Sequence, residues 1–275
     1  MRLRRLFHDV WPHALAALGL VLLGRPIVLD MWEAHLAQQS ISAIESTYDA
    51  MGDSAVSELW KDAEVYNERL LAGRPVGDLR PYAEQLSFPE PDMIAHLVIP
   101  KLSLDLPIYH GTEENTLMCG VGHVEGSELP IGTAGGRCVL AGHSGMPNAR
   151  MFDDIGLLEN GDRFVVWTLG RPLAYEVVGS KVVTPDRTDE LLPPRDGSDL
   201  VTLVTCTPYR LNTHRLLVTG RRCEYIPDEE QLPEVEAYVN RRTIPFLVGL
   251  GACVGVGAVG ACVGAHRRRK RDAVG

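Results

Sequence analysis

The chain has 275 residues, 45% of them hydrophobic and 23% charged, with 27 basic against 36 acidic side chains. That length suits one domain of ordinary size with appendages, or two small domains, and the composition excludes a collagen, a coiled coil and a wholly disordered chain. The net charge of −9 speaks against a nucleic-acid partner, which would need a basic surface.

At the N-terminus Arg2, Arg4 and Arg5 precede an apolar stretch from Val10 to Leu29, interrupted by His13 and the Arg25–Pro26 pair. The run is apolar on every face, so it reads as a signal peptide or signal anchor rather than a buried amphipathic helix. No small-x-small cleavage site follows, which favours an uncleaved anchor over residues 1–30. Residues 31–92 are expected to form a helical pre-barrel region. Ala, Glu, Leu and Gln dominate its first part, and proline is absent from Met31 to Arg74. The helical pattern runs to about Leu86, and a loop rich in Pro and Gly covers Gly73 to Pro91. The pattern leaves open whether this region is a stalk, a lid support or a partner-binding surface.

From Met93 the pattern changes to short apolar runs broken by Pro and Gly: Ile94–Ile99, Leu106–Tyr109, Arg137–Ala141, Arg163–Leu169, Leu173–Val183, Leu200–Cys206 and His214–Gly220. Strands at this spacing predict an antiparallel barrel or sandwich over residues 93–227. Short helices are expected near Glu113–Met118 and Met151–Leu158. A linker, residues 228–243, leads to Ile244–Ala265, which is 22 residues without a charge. That is long enough to span a bilayer, and glycines such as Gly249, Gly255 and Gly260 would permit close helix packing. Arg267, Arg268, Arg269, Lys270 and Arg271 follow in the tail, residues 266–275, and mark the cytoplasmic side. Both basic ends therefore sit inside, and the acidic segment between them sits outside the cell membrane.

Of the six cysteines, Cys253 and Cys262 lie in the C-terminal span as packing residues. Cys119, Cys138, Cys206 and Cys223 lie in the outer domain, where disulfides are permitted. Cys119 with Cys138, and Cys206 with Cys223, are open as pairs or as free thiols. There is no CxxC pair and no zinc spacing, so neither a metal nor another cofactor is expected.

The most informative segment is Thr202-Leu203-Val204-Thr205-Cys206, followed by Thr207-Pro208-Tyr209 and then by Asn212-Thr213-His214-Arg215-Leu216. The cysteine ends an apolar strand at a turn, and Arg215 begins the next strand across a hairpin-length loop. Two antiparallel strands would bring the two to the same rim. Upstream, Val139-Leu140-Ala141-Gly142-His143-Ser144-Gly145 presents a histidine between glycines at another strand end. A thiol, an imidazole and a guanidinium so placed can perform acyl transfer: nucleophile, proton carrier and oxyanion partner.

Thr-Leu-x-Thr-Cys, the downstream Arg and the upstream Gly-His resemble the signature of the sortases, cysteine transpeptidases of Gram-positive cell surfaces. The extended Thr-Cys-Thr-Pro-Tyr…Asn-Thr-His-Arg-Leu segment is similar to the class C, pilin-polymerising branch. So are Asp105-Leu106-Pro107-Ile108-Tyr109-His110-Gly111 and Gly120-Val121-Gly122-His123 leading to Gly126-Ser127. The resemblance covers roughly Tyr66 to Ile226. It implies a mainly β fold, an eight-stranded barrel with short helices, and it assigns Cys206 as nucleophile, His143 as general acid/base and Arg215 as oxyanion or substrate-positioning group. Thr205 is either a substrate-orienting residue or simple strand packing. The implied partners are surface proteins or pilins bearing a Leu-Pro-x-Thr-Gly-type sorting signal, cleaved between Thr and Gly. The acceptor is a pilin lysine amine, or a cell-wall precursor in the housekeeping branch.

Class C members often carry a lid with an Asp-Pro-aromatic motif. Tyr66-Asn67 and Leu70 resemble the approach to it, but the chain reads Asp78-Leu79-Arg80-Pro81-Tyr82, with the aspartate separated from the Pro-Tyr pair. Asp78, Pro81 and Tyr82 are the lid candidates. Arg210 stands where the family commonly has glycine, a long cation beside the rim. His110, His123 and His214 are expected to be structural. A papain-like peptidase is disfavoured because His143 precedes Cys206 in the chain. A non-catalytic membrane-anchored adhesion domain is the rival of another class, and it would keep its partner after Cys206→Ala.

Overall fold

The computed structural model describes residues 15, 18, 19, 21, 22, 24, 25, 32, 35–48, 50–87, 93–146, 149–187, 190, 191, 196–209 and 211–227. The expected linker, C-terminal span and basic tail, most of the N-terminal apolar stretch, and Arg210 lie outside the described residues. Among the described residues no helix is long and apolar enough to cross a membrane. The chain divides into two units, Met1–Leu29 with Glu234–Gly275, and Asp30–Pro233. In the first, the described residues between Leu15 and Arg25 are helical, and Leu15, Leu18, Val21 and Leu22 are exposed.

The second unit is a closed barrel with strand order β1-β2-β3-β4-β7-β8-β6-β5. Its strands are β1 (Met93–Ile99), β2 (Leu104–His110), β3 (Val121–His123), β4 (Arg137–Ala141), β5 (Arg163–Thr168), β6 (Arg171–Val183), β7 (Leu200–Thr207) and β8 (His214–Arg222). The seven expected apolar runs are all strands; β3 is the one that periodicity did not reveal. Three residues with a central glycine carry no alternation to read. Gly122 is required there, because a Cβ would collide with the Gly111 carbonyl oxygen.

The barrel is not antiparallel throughout, as the strand spacing had suggested. β2–β3 and β4–β7 pair in parallel. A parallel neighbour needs a crossover rather than a hairpin, and between β2 and β3 it is helix α2 (Glu114–Cys119). The expected helix at Met151–Leu158 is instead a run of turns ending in a three-residue 3-10 helix, Ile155–Leu157.

The pre-barrel region holds two α-helical pieces and a short 3-10 turn, Tyr82–Glu84. Residues 35–48 are helical, and a second helix, α1 (Asp53–Leu71), begins after Gly52, whose φ of 77° breaks the first path. Ile41 and Ile44 of the first piece are buried, and Gln38 Nε2 donates to Asp105 Oδ2 on β2 at 2.8 Å. Every residue of β1 is buried: Leu97 and Ile99 face the main core, while on the other face His96 stacks on Trp167 and Val98 packs with Val165, Ala174 and Tyr225.

Helix α1 buries Leu59, Ala63, Tyr66 and Asn67, a stripe at helical spacing. Fully buried Asn67 donates to the Leu129 carbonyl at 3.0 Å and to Thr133 Oγ1 at 2.8 Å, and its Oδ1 accepts the Leu129 N–H at 2.7 Å. That loop leads into the first residue of β4, so α1 docks at the end of the barrel away from Ala141 and Cys206. The main core fills the interior with Leu97, Ile99, Phe164, Val166, Tyr175, Val201, Leu203 and Val218, all nearly or wholly buried.

Candidate functional site

Burial along β7 ends at Thr205; Cys206 and Thr207 are half-exposed where the strand climbs out of the core. Cys206 pairs directly with Arg215 across the β7–β8 ladder, and Arg215 pairs on its other side with Val183 of β6. Directly opposed residues point to one face. That face continues through Val204, Leu217, Val139 and Val183, a second apolar cluster distinct from the barrel interior. Cys206 and Arg215 therefore stand side by side on one face of the barrel wall, at its rim.

Arg215 Nη1 donates to the Asn212 carbonyl at 3.3 Å and to the His214 carbonyl at 3.2 Å. No carboxylate lies within ion-pair distance of it among the described residues, so its positive charge is uncompensated. His143 is brought to Cys206 by its neighbours. Gly142 N–H donates to the Val204 carbonyl at 3.0 Å, Thr205 Oγ1 donates to the Gly142 carbonyl at 2.7 Å, and Ser144 Oγ donates to the Cys206 carbonyl at 2.6 Å. Three bonds thus lace residues 142–144 along residues 204–206, with His143 in the middle. Gly142 has to be glycine, because a Cβ there would sit 2.7 Å from the buried Phe152 ring.

Thr205 is 4% exposed and spends its hydroxyl on Gly142, which makes it a brace between the cysteine strand and the histidine loop. Ser144 and Glu114 were not singled out by sequence reading. Ser144 merely adjoins the histidine in the chain. Glu114 Oε1 lies 3.7 Å from His143 Nε2, a long-range contact with no sequence signal. Among the described residues His214 Nδ1 meets only the neighbouring Thr213 hydroxyl, at 2.9 Å.

The lid candidates lie elsewhere. Asp78 forms a two-point pair with Arg69 of α1 at 3.0 and 3.1 Å, and that guanidinium holds its carboxyl below the ordinary range. Tyr82 is anchored on β3 and the end of β2. Its hydroxyl meets His123 Nδ1 at 2.8 Å and accepts the Gly111 N–H at 3.0 Å, and its ring packs edge-on against His110. No hydrogen bond, ion pair or ring contact among the described residues joins Asp78, Pro81 or Tyr82 to Cys206, His143 or Arg215.

His123 Nε2 faces the Glu128 carbonyl at 3.0 Å and so carries the proton, while the Tyr82 hydroxyl lies between His123 Nδ1 at 2.8 Å and the His123 carbonyl, to which it donates at 2.9 Å. Full burial depresses its pKa to about 4. Cys119, Cys138, Cys206 and Cys223 are all free thiols, and burial pushes the Cys138 thiol well above its ordinary range. Among the described residues no group of three or more His, Cys, Asp or Glu side chains could hold a metal ion.

A closed eight-stranded barrel of this strand order is the sortase type of fold. The sortase-domain family model matches residues 97–223. Sortase A of Bacillus anthracis is 30% identical over 134 residues, 49% of this chain and 61% of that protein. Sortase D of Bacillus subtilis is 34% identical over 129 residues, 46% of this chain and 62% of that protein. The chain thus spans about three-fifths of the curated relatives it matches. Among solved structures, Sortase C1 of GBS Pilus Island 1 is 34% identical with a TM-score of 0.63, over 69% of this chain and 99% of that one. Sortase C from Clostridium perfringens is 38% identical, TM-score 0.60, over 68% and 99%. Sortase C-1 from Actinomyces oris is 40% identical, TM-score 0.56, over 63% and 100%. The chain belongs to the sortase family, whose members are cysteine transpeptidases, and its structural neighbours include class C sortases.

Proposed function

We propose that the protein is a membrane-anchored, outward-facing cysteine transpeptidase that cleaves a Leu-Pro-x-Thr-Gly-type sorting signal between Thr and Gly and passes the acyl group to a lysine amine of a pilin. The observation that carries this reading is the Cys206–Arg215 pair at the rim with residues 142–144 bonded along residues 204–206. The Cys206 thiolate attacks the threonine carbonyl carbon, and the oxyanion forms beside Arg215. Imidazolium at His143 gives its proton to the departing glycine nitrogen as the C–N bond breaks, leaving a thioester. An incoming amine attacks the thioester, His143 takes its proton, and the thiolate leaves.

A pilin acceptor is supported by the family branch of the neighbours, one of which is named for a pilus island. Membrane anchorage is supported by the charge-free run Ile244–Ala265 and its basic flank. Transfer to a cell-wall amine is the second reading, favoured by the match to proteins named Sortase A and Sortase D.

The test is intact-mass spectrometry of the full chain mixed with a Leu-Pro-x-Thr-Gly peptide. A mass gain equal to the acyl part, absent in Cys206→Ala, is expected; pilin lysine and cell-wall amine are then offered in competition to release it. No adduct on a folded chain would overturn the reading. Labelling intact cells with a membrane-impermeant thiol reagent checks the topology: Cys206 is expected to react from outside.

A further inference from the structure

We propose that Glu114 is a positioning residue for the transfer reaction: its carboxylate holds the protonated form of His143 in the orientation and population that the reaction needs. The inference rests on the proposed transpeptidase reading. His143 Nε2 is shielded from solvent and has no hydrogen-bond partner, an arrangement that costs free energy unless something offsets it. The carboxylate nearest to that nitrogen is Glu114, with Oε1 at 3.7 Å. The distance is too long for a hydrogen bond but close enough for strong attraction once the ring carries a charge.

Glu114 has no other polar partner among the described residues, and its side chain is 79% exposed. It contributes little to the fold, yet it stands in the first turn of α2, the crossover helix between β2 and β3. The other charged or titratable residues that the fold ties to the His143 loop are Cys206 on β7, its cross-strand partner Arg215 on β8, and Asp153 in the loop that follows. Asp153 is already engaged, its Oδ1 accepting the Gly145 N–H at 2.6 Å. Arg215 is an uncompensated cation and disfavours a second positive charge beside it. A thiolate, a guanidinium and an imidazolium sum to one positive charge, and Glu114 supplies the balancing negative one.

This arrangement has a kinetic signature. The reaction uses thiolate and imidazolium together, and a thiol ordinarily ionises above an imidazole. On the pH plateau the active fraction is then the ratio of the two acid constants. Weakening the hold of the imidazole on its proton lowers the plateau by the same factor by which the acid limb shifts to lower pH. A lesion of the fold lowers the rate without moving the limb.

The experiment measures kcat/KM for acylation by a Leu-Pro-x-Thr-Gly peptide, from about pH 5 to about pH 9, using the full chain, Glu114→Gln and Glu114→Asp. Because the carboxylate is largely exposed, Glu114→Gln should lower the plateau by only about threefold to tenfold, with the acid limb displaced in the matching direction. Glu114→Asp, which keeps the charge on a shorter arm, should fall between the two. A second readout needs no turnover: the imidazole NMR titration of His143 in the full-length Cys206→Ala chain, whose midpoint should move to lower pH when Glu114→Gln is added. If the wild-type chain acylates and Glu114→Gln matches it at every pH, or falls uniformly without a limb shift, the positioning role is wrong. If no chain acylates but the imidazole midpoint responds, the transpeptidase reading fails while the Glu114–His143 coupling stands. An unmoved midpoint overturns the coupling itself.

Discussion

Arg215 lies directly across the β7–β8 ladder from Cys206, and among the described residues its guanidinium donates only to two carbonyls of its own hairpin. A cation without a carboxylate partner among the described residues, next to the proposed nucleophile, is suited to an oxyanion. Arg215→Ala should therefore reduce kcat for acylation by about 10²–10³-fold, the usual loss for one oxyanion partner. Stability should change by no more than about 0.5 kcal/mol, since the side chain is on the rim. Arg215→Lys should recover only part of the rate, because an ammonium lacks the planar fork. Single-turnover acylation and thermal melts separate the two effects.

Thr205 braces the histidine loop through a buried hydroxyl. Thr205→Val keeps the shape but leaves the Gly142 carbonyl without its donor, at a cost of about 1–3 kcal/mol. The acylation rate should fall as His143 loses its placement, whereas Thr205→Ser should retain most of both. Urea unfolding beside kcat/KM tests this. Equal behaviour of the Val and Ser variants would mean that the hydroxyl plays no part.

At Gly142 the constraint is steric. Gly142→Ala drives a methyl into the Phe152 ring and should cost about 1–3 kcal/mol of overpacking. Adding Phe152→Leu should give back part of that loss, because the two residues share one contact and their effects do not add. A double-mutant cycle on denaturant midpoints measures the coupling, and strict additivity would refute the clash.

Two buried groups, His123 at the end of β3 and Asp199 just before β7, act on stability in opposite senses with pH. The His123 pKa is depressed from 6.5 to about 4 by burial. Its contribution is full above 6.5 and drains away as pH falls to 4, because only the unfolded chain gains the proton; the span is worth about 3 kcal/mol. Burial raises Asp199 from 3.8 to about 6, even though the Tyr175 hydroxyl donates to it at 3.1 Å. Its contribution is full below 3.8 and is lost as pH rises through 6, again worth about 3 kcal/mol. The two nearly cancel between pH 4 and 6. Asp199→Asn should therefore expose a steep acid destabilisation that the wild-type chain hides, and His123→Asn should reverse the slope. Denaturant midpoints at several pH values decide; parallel slopes in all three chains would contradict the assignment.

Tyr82 joins the segment after α1 to the barrel through His123 and Gly111. Tyr82→Phe should lower stability by about 1–3 kcal/mol through the buried partners it abandons. Hydrogen exchange should rise first at Gly111 and His123.

Much of this was legible from the chain alone. Alternating and continuous apolar runs placed seven strands within two or three residues of their observed bounds, because a strand that lines a core must present apolar side chains at fixed period. The Thr-Cys and Arg segments around the β7–β8 hairpin carried the Cys206–Arg215 juxtaposition, because antiparallel pairing across a short loop is a local matter. Local sequence also marked His143 as a turn residue between glycines.

Tertiary structure alone decided the rest. The closing order of the barrel and its two parallel seams depend on which distant strands meet, and no period in the sequence records that choice. The same is true of β3, whose three residues are a strand only because β2 and β4 lie on either side of it. That Asp78 pairs with Arg69 and Tyr82 with His123 could not be read from the chain, since a side chain's partner is set by the fold and not by its neighbours in the chain. Glu114 reaches His143 across 29 residues of chain through the placement of one short helix. Sequence fixes which groups are present and the local period that shapes each element; the distances between elements, on which charge and proton transfer depend, belong to the packed barrel.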